Sequence, residues 1–199
     1  MPQQISYQIG NNLYLSITDR CTLECAFCPK TKGDMTVKGY DLTFNHRPTA
    51  EEVIASIDDP AQYDEIVFCG YGEPTLRLNV LLQVARHIKQ HGGRVRVNTD
   101  GLSNLVHKHN TLPVLGEWVD ALSVSLNAQN STLYDLHCRP NLPGSYEAML
   151  DFLRQAPCHI SDVTATAVVG LEGVDIAACE AIAKAMGVNF HRRTLGLVG

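Results

Sequence analysis

The 199-residue sequence predicts an α/β fold on a parallel sheet, organised as a single domain over 1–199. Three observations carry this. Apolar, β-branched runs alternate with amphipathic helical runs, as βαβ units require. The polar and glycine-rich clusters each fall directly after a strand-like run. That is where open doubly wound sheets and partial (β/α) barrels both place their chemistry. Composition is ordinary globular, with 45% hydrophobic and 19% charged residues, enough for a real core.

The elements follow in order. Residues 12–18 (NLYLSIT) read as the first strand. Residues 49–57 read as a helix with a capping box, Thr49 capping and Glu52 three positions on. A strand over 64–70 (DEIVFCG) leads into a helix over 76–93. Leu78, Leu81, Leu82, Ala85 and Ile88 form its apolar stripe, and Gly92 with Gly93 ends it. Strands follow at 94–101 and 121–128, then a helix around 145–155 with Ser145 as its cap. A strand at 162–170, a helix at 175–187 between Asp175 and Gly187, and a strand at 188–196 complete the pattern. The polar, Gly-punctuated stretch 31–47 is the long connection and reads either as a flap beside the cysteines or as a surface hairpin.

Composition narrows the function. The formal charge of −5 disfavours a nucleic-acid binder, whose domain is usually basic. The N-terminus lacks a basic region followed by an apolar run, and no apolar stretch is long enough to span a bilayer. A cytoplasmic location is therefore expected. There, seven cysteines point to metal binding, catalysis or buried thiols before disulfides.

Cys21, Cys25 and Cys28 form a C-x3-C-x2-C run in the 18–30 loop after strand one. A structural zinc takes four ligands, commonly from two paired motifs, and the other cysteines are isolated. A non-catalytic zinc or iron–sulfur module stays open as an alternative. A four-iron cluster prefers one thiolate per iron, so three thiolates leave one iron free for a non-protein ligand.

This run, with Phe27 before its last cysteine, resembles that of the radical S-adenosylmethionine (radical SAM) superfamily. The stretches YDEIVFCGYGEPTLRLNVLLQVAR, VNTDGLSNLVH, DALSVSLNA and CRP are similar to the TatD-linked (TatD-associated) radical SAM proteins over nearly the whole chain. The resemblance implies a (β/α)6 partial TIM-like barrel, the radical SAM core. It also implies a [4Fe–4S] cluster on Cys21, Cys25 and Cys28, with S-adenosylmethionine on the open iron. GYGEP would hold the methionyl ammonium through Gly70, Gly72 and Glu73. Asn98 and Asp100 would meet ribose hydroxyls, and Ser123, Ser125 and Asn127 the carboxylate or ribose. Val169 would lie on the adenine and His191 near the ribose. The partners implied are a one-electron donor of flavodoxin or ferredoxin type and a small-molecule or peptide substrate.

The remaining residues carry weaker expectations. Cys138, in LHCRP after strand four, is a candidate reactive thiol or hydrogen donor, or a packed loop cysteine. Arg139 beside it could pair with an anion. Cys69 and Cys179 read as core thiols, and Cys158 has no readable context. Alternation sends Arg192 and Arg193 to opposite faces, so at most one of them points inward.

Overall fold

A glycine opens the architecture. Gly10 adopts a left-handed backbone (φ 61°) and turns strand β1 (Ser6–Ile9) back onto β2 (Asn12–Leu15) as an antiparallel hairpin. The computed structural model describes residues 3–195. The expected first strand is therefore the second of a hairpin, and it ends at Leu15 rather than at 18.

From β2 onward the sheet is parallel and runs in chain order through β5 (Ile66–Phe68), β6 (Val95–Thr99), β7 (Ala121–Ser125), β8 (Asp162–Val169) and β9 (Asn189–Thr194). With β1 it makes seven strands. A doubly wound sheet reverses its strand order at a switch point. This sheet does not, and every crossover advances the same way, as in a barrel. The register of β9 runs to Thr194, and the expected strand end at Gly196 lies outside the described residues.

Register assigns the two faces. Leu15, Phe68, Val97, Leu122 and Val163 lie in one row across five strands. They are buried with the helices in one core. In α2 (Leu78–Gln90) the stripe is Leu78, Leu81, Val84, Ala85 and Ile88, whereas the expected Leu82 is only half-buried. The opposite, inner face carries Asn98, Ser123, Thr164 and Asn189 in one row and Ser125, Thr166 and His191 in the next. A sheet apolar toward its helices and polar on its inner face is built to hold something there.

Local signals set the helix ends. α1 (Ala50–Ala55) has the capping box: Thr49 Oγ1 accepts from Glu52 N at 3.2 Å, and Glu52 accepts from Thr49 N at 2.7 Å. α7 (Ile176–Ala185) starts on Asp175, which accepts from Ala177 N and Ala178 N. α6 (Ser145–Gln155) is capped by Gly144 at φ 71°, and not by Ser145. The Ser145 hydroxyl turns back to donate to Leu142 O at 2.7 Å. The short helices α3 (Ser103–His107), α4 (Leu112–Gly116) and α5 (Ser131–Cys138) fill crossovers that the sequence reading left blank.

The 31–47 connection contains a small hairpin of β3 (Thr36–Val37) and β4 (Tyr40–Asp41). Val37 and Leu42 are buried against Tyr7, Tyr14, Val67 and Tyr71, and Tyr71 Oη donates to Thr36 O at 2.8 Å. The segment plugs the inner face at its β1–β2–β5 end. No helix among the described residues is long and apolar enough to cross a membrane.

Candidate active site

The cysteine loop follows β2 and is held from two sides. Ala26 N donates to His137 O at 2.8 Å and Glu24 N to Cys138 O at 3.1 Å, while Leu23 pairs with Pro140 as an antiparallel bridge. The LHCRP stretch at the end of α5 thus lies directly against the cysteines. Within the loop, the Thr31 hydroxyl donates to Cys25 O and Cys28 O at 2.9 and 2.7 Å. Cys21, Cys25 and Cys28 are free, half-buried thiols, and Phe27 is half-buried against the main core. Among the described residues, no three Cys, His, Asp or Glu side chains converge to hold a single metal ion.

The GYGEP turn forms the wall beside this loop. A Cβ on Gly72 would stand 2.1 Å from Thr18 O, and one on Gly70 would stand 2.5 Å from Ser16 Oγ. The glycines are needed where the two strand-end loops touch each other. Glu73 N donates to Arg20 O at 2.7 Å, locking the turn onto the residue before Cys21.

Two buried carboxylates sit behind the thiols. Glu73 Oε1 accepts from Thr75 N, Thr75 Oγ1 and Thr99 Oγ1 at 2.9, 2.6 and 2.8 Å, and Oε2 accepts from Asp100 N at 2.7 Å. Asp100 Oδ1 accepts from Leu102 N at 2.9 Å, and Oδ2 takes the Thr22 hydroxyl from within the cysteine run. Neither carboxylate has a salt-bridge partner among the described residues. Burial, and then the neighbouring Glu73, push Asp100 well above the usual carboxylate range.

The thiols feel the same environment. Burial first, then Asp100 and Glu73, raise Cys21. A hydrogen bond with Cys138, followed by burial, raises Cys25, and burial raises Cys28. Two carboxylates without a salt-bridge partner beside three thiols favour a positively charged occupant.

The other expected residues divide. Asn98, Ser123, Ser125 and His191 share the inner face, with Asn98 beside Ser123 in register. Asn127, in a left-handed backbone at φ 58°, donates from Nδ2 to Cys138 Sγ at 3.5 Å. The buried oxygens Oδ1 of Asn98 and Asn127 have no partner. Val169 has the opposite parity and is 42% exposed, whereas Val168 shares the inner parity with Thr164 and Thr166. Cys138 is fully buried beside Cys25. Cys179 is core, Cys158 is exposed, and Cys69 lies half-buried against the inner-face cluster rather than in the helix-side core. Arg192 pairs with Glu180 at 2.6 Å, which leaves Arg193 on the inner parity.

Thr22, Thr75 and Thr99 were not foreseen in this network. The Glu-Pro-Thr spacing at 73–75 is a cap signature that could have shown Thr75. The Tyr134 hydroxyl, buried and unpartnered, was also missed, and no local pattern marks it.

The family model described as the radical SAM superfamily matches residues 15–186. The chain belongs to this superfamily. A Pyrococcus furiosus protein named tungsten-containing aldehyde ferredoxin oxidoreductase cofactor-modifying protein is 33% identical over 97 residues, 45% of this chain and 23% of that protein. A Methanocaldococcus jannaschii protein named for glycyl-radical enzyme activation is 32% identical over 81 residues, 41% of this chain and 30% of that protein. The chain thus spans less than a third of the length of these relatives. Streptococcus suis SuiB bound to its precursor peptide SuiA superposes with a TM-score of 0.72 at 13% identity, over 94% of this chain and 40% of that one. It shares the mixed α/β, mostly parallel partial-barrel fold.

The superfamily uses a [4Fe–4S] cluster and S-adenosylmethionine. The residues fit both. Three free thiols on one loop match the donor count of a cluster with one open iron. The unpaired Glu73 and Asp100 suit a cationic ligand, and the orphaned Asn98 and Asn127 oxygens are acceptors for N–H or O–H donors.

Proposed function

We propose that the protein is a radical SAM enzyme. The observation that carries this is three half-buried free thiols on one strand-end loop, with two buried carboxylates behind them that have no salt-bridge partner among the described residues. Cys21, Cys25 and Cys28 would hold the cluster, and Glu73 would face the methionyl ammonium. Asn98, Ser123, Ser125 and Asn127 would orient the ribose and carboxylate, with His191 at the far edge; Val169, on the opposite face, falls out of the site. When bound, the reduced cluster and S-adenosylmethionine supply a 5′-deoxyadenosyl radical for hydrogen abstraction.

The chain's own work is to hold and shield. Thr22, Thr75 and Thr99 fix the carboxylates, and burial, then Glu73, raises Asp100 above the usual carboxylate range. The 31–47 hairpin keeps water from the β1–β2–β5 end. A flavodoxin- or ferredoxin-type protein would deliver the electron. Seven free thiols suit a reducing compartment such as the cytoplasm.

The test is anaerobic reconstitution with iron and sulfide. Brown protein that forms 5′-deoxyadenosine from S-adenosylmethionine and dithionite is expected. A chain that binds zinc and no iron would instead be a metal-binding module.

The substrate is a small molecule or a peptide, and a deuterated cell extract separates the two: label reaches 5′-deoxyadenosine from the small-molecule fraction in the first case and from the macromolecular fraction in the second. The TatD-linked assignment belongs with this proposal and rests on the strand-end motifs.

A further inference from the structure

A cavity of about 730 Å³ opens on the helix side of the 70–77 segment, and none of the three thiols lines it. Arg20, Arg47 and Arg77 line it together with His107 and His109, and no Asp or Glu does. None of the three arginines makes a salt bridge among the described residues. Arg77 is fixed in place, its Nη1 donating to Ile17 O at 2.9 Å and Pro48 O at 2.5 Å. Its other N–H groups are left for a ligand. Burial first, and the like charge of Arg47 second, depress the Arg77 guanidinium. Leu78, Asn79 and Val80, from the first turn of α2, complete this wall; α2 continues directly from a 3-10 turn over Pro74–Arg77 that Glu73 caps.

Three guanidinium groups lining one concavity with no carboxylate among them give it a positive potential that attracts an anion. Guanidinium forks fit phosphate oxygens. The rest of the lining is apolar: Leu76, Val80, Leu82 and Val114. The concave shape and volume are those of a small-molecule site rather than of a protein footprint.

We propose that this cavity binds a small organic phosphate. The phosphate sits on Arg20, Arg47 and Arg77, and the organic body packs on the apolar lining. The site is separate from the cofactor site, although Arg20 directly precedes Cys21.

Calorimetry on the reconstituted full chain with phenyl phosphate, inorganic phosphate and phenol tests this. Phenyl phosphate should bind, with affinity that falls as salt rises, and more tightly than inorganic phosphate; phenol should not bind. Arg47→Ala and Arg20→Ala, checked for folding by circular dichroism and for iron content, should each weaken phenyl phosphate about tenfold, the loss of one charge-assisted contact. Failure of the folded wild type to bind phenyl phosphate overturns the site, even if an acidic protein binds instead. Unchanged affinity in both folded variants, or phenol binding as tightly, overturns it equally. Equal affinity for phenyl phosphate and inorganic phosphate removes the organic body from the proposal. Iron content and 5′-deoxyadenosine formation report separately on the radical SAM reading.

Discussion

The two sides of the 70–77 segment are opposites. On the inner side, Glu73 and Asp100 are buried behind three thiols, and neither carboxylate has a salt-bridge partner among the described residues. On the helix side, Arg20, Arg47 and Arg77 share a cavity with no anion lining it. One short segment separates carboxylates and guanidiniums that do not pair with each other, although the carboxylates are hydrogen-bonded. Keeping the charges apart leaves each side ready for a ligand of the other sign, at a cost in the ligand-free state.

The largest test removes the inner side altogether. Cys25→Ala deletes a thiol from the middle of the run, so reconstituted protein should lose its brown absorbance and all 5′-deoxyadenosine formation. Retention of wild-type iron and turnover would sink the ligand assignment. Next comes the segment itself. Gly72→Ala puts a methyl group 2.1 Å from Thr18 O, a backbone atom that cannot swing away. Overpacking of this kind costs about 3 kcal/mol. For a chain of this size that lowers the melting temperature by about 6–12 °C, readable by calorimetry. A shift under about 2 °C would mean that the two loops are not in contact.

Glu73→Gln tests the anionic side more narrowly. It removes the charge and turns an amide toward hydroxyl and amide donors. S-adenosylmethionine binding, measured by equilibrium dialysis, should weaken at least about tenfold through loss of a charged partner, with iron content unchanged. Equal binding would remove Glu73 from the ammonium site.

The sequence made one side of this comparison legible and hid the other. The inner side could be read because its residues cluster locally after strands, and strand ends converge in any parallel α/β fold. The hairpin strand β1 was missed although a Gly-Asn pair sits between its two runs, because each run is only four residues long. Helices α3 to α5 have five to eight residues, too few for periodicity to show. The arginine cavity had no local signal. Its three cations come from three distant loops, brought together only by how α1, α2 and α3 seat on the sheet. Thr22 and Thr99 were hidden for the same reason, since their partners are Asp100 and Glu73 across the sheet.

The smallest test is one of sign, and it isolates unpaired charge on the arginine side. Arg192 is an exposed arginine that has its partner, Glu180, at 2.6 Å, with side-chain exposures of 60% and 49%. Removing it in Arg192→Ala should lower stability by about 0.3 kcal/mol or less, since solvent screens such pairs. Arg47 is exposed too, but its charged neighbour is Arg77. Without ligand, Arg47→Ala should therefore raise stability by a similarly small amount, about 0.3 kcal/mol at low salt. Both shifts should shrink as ionic strength rises. Saturating phenyl phosphate should reverse the Arg47 result, because the wild type then gains binding energy that the variant lacks. Denaturant melts at low and high salt, with and without phenyl phosphate, read all of these. If Arg47→Ala lowers ligand-free stability as Arg192→Ala does, Arg47 has a partner within the chain, and the two sides of the segment are not the opposites they are taken to be.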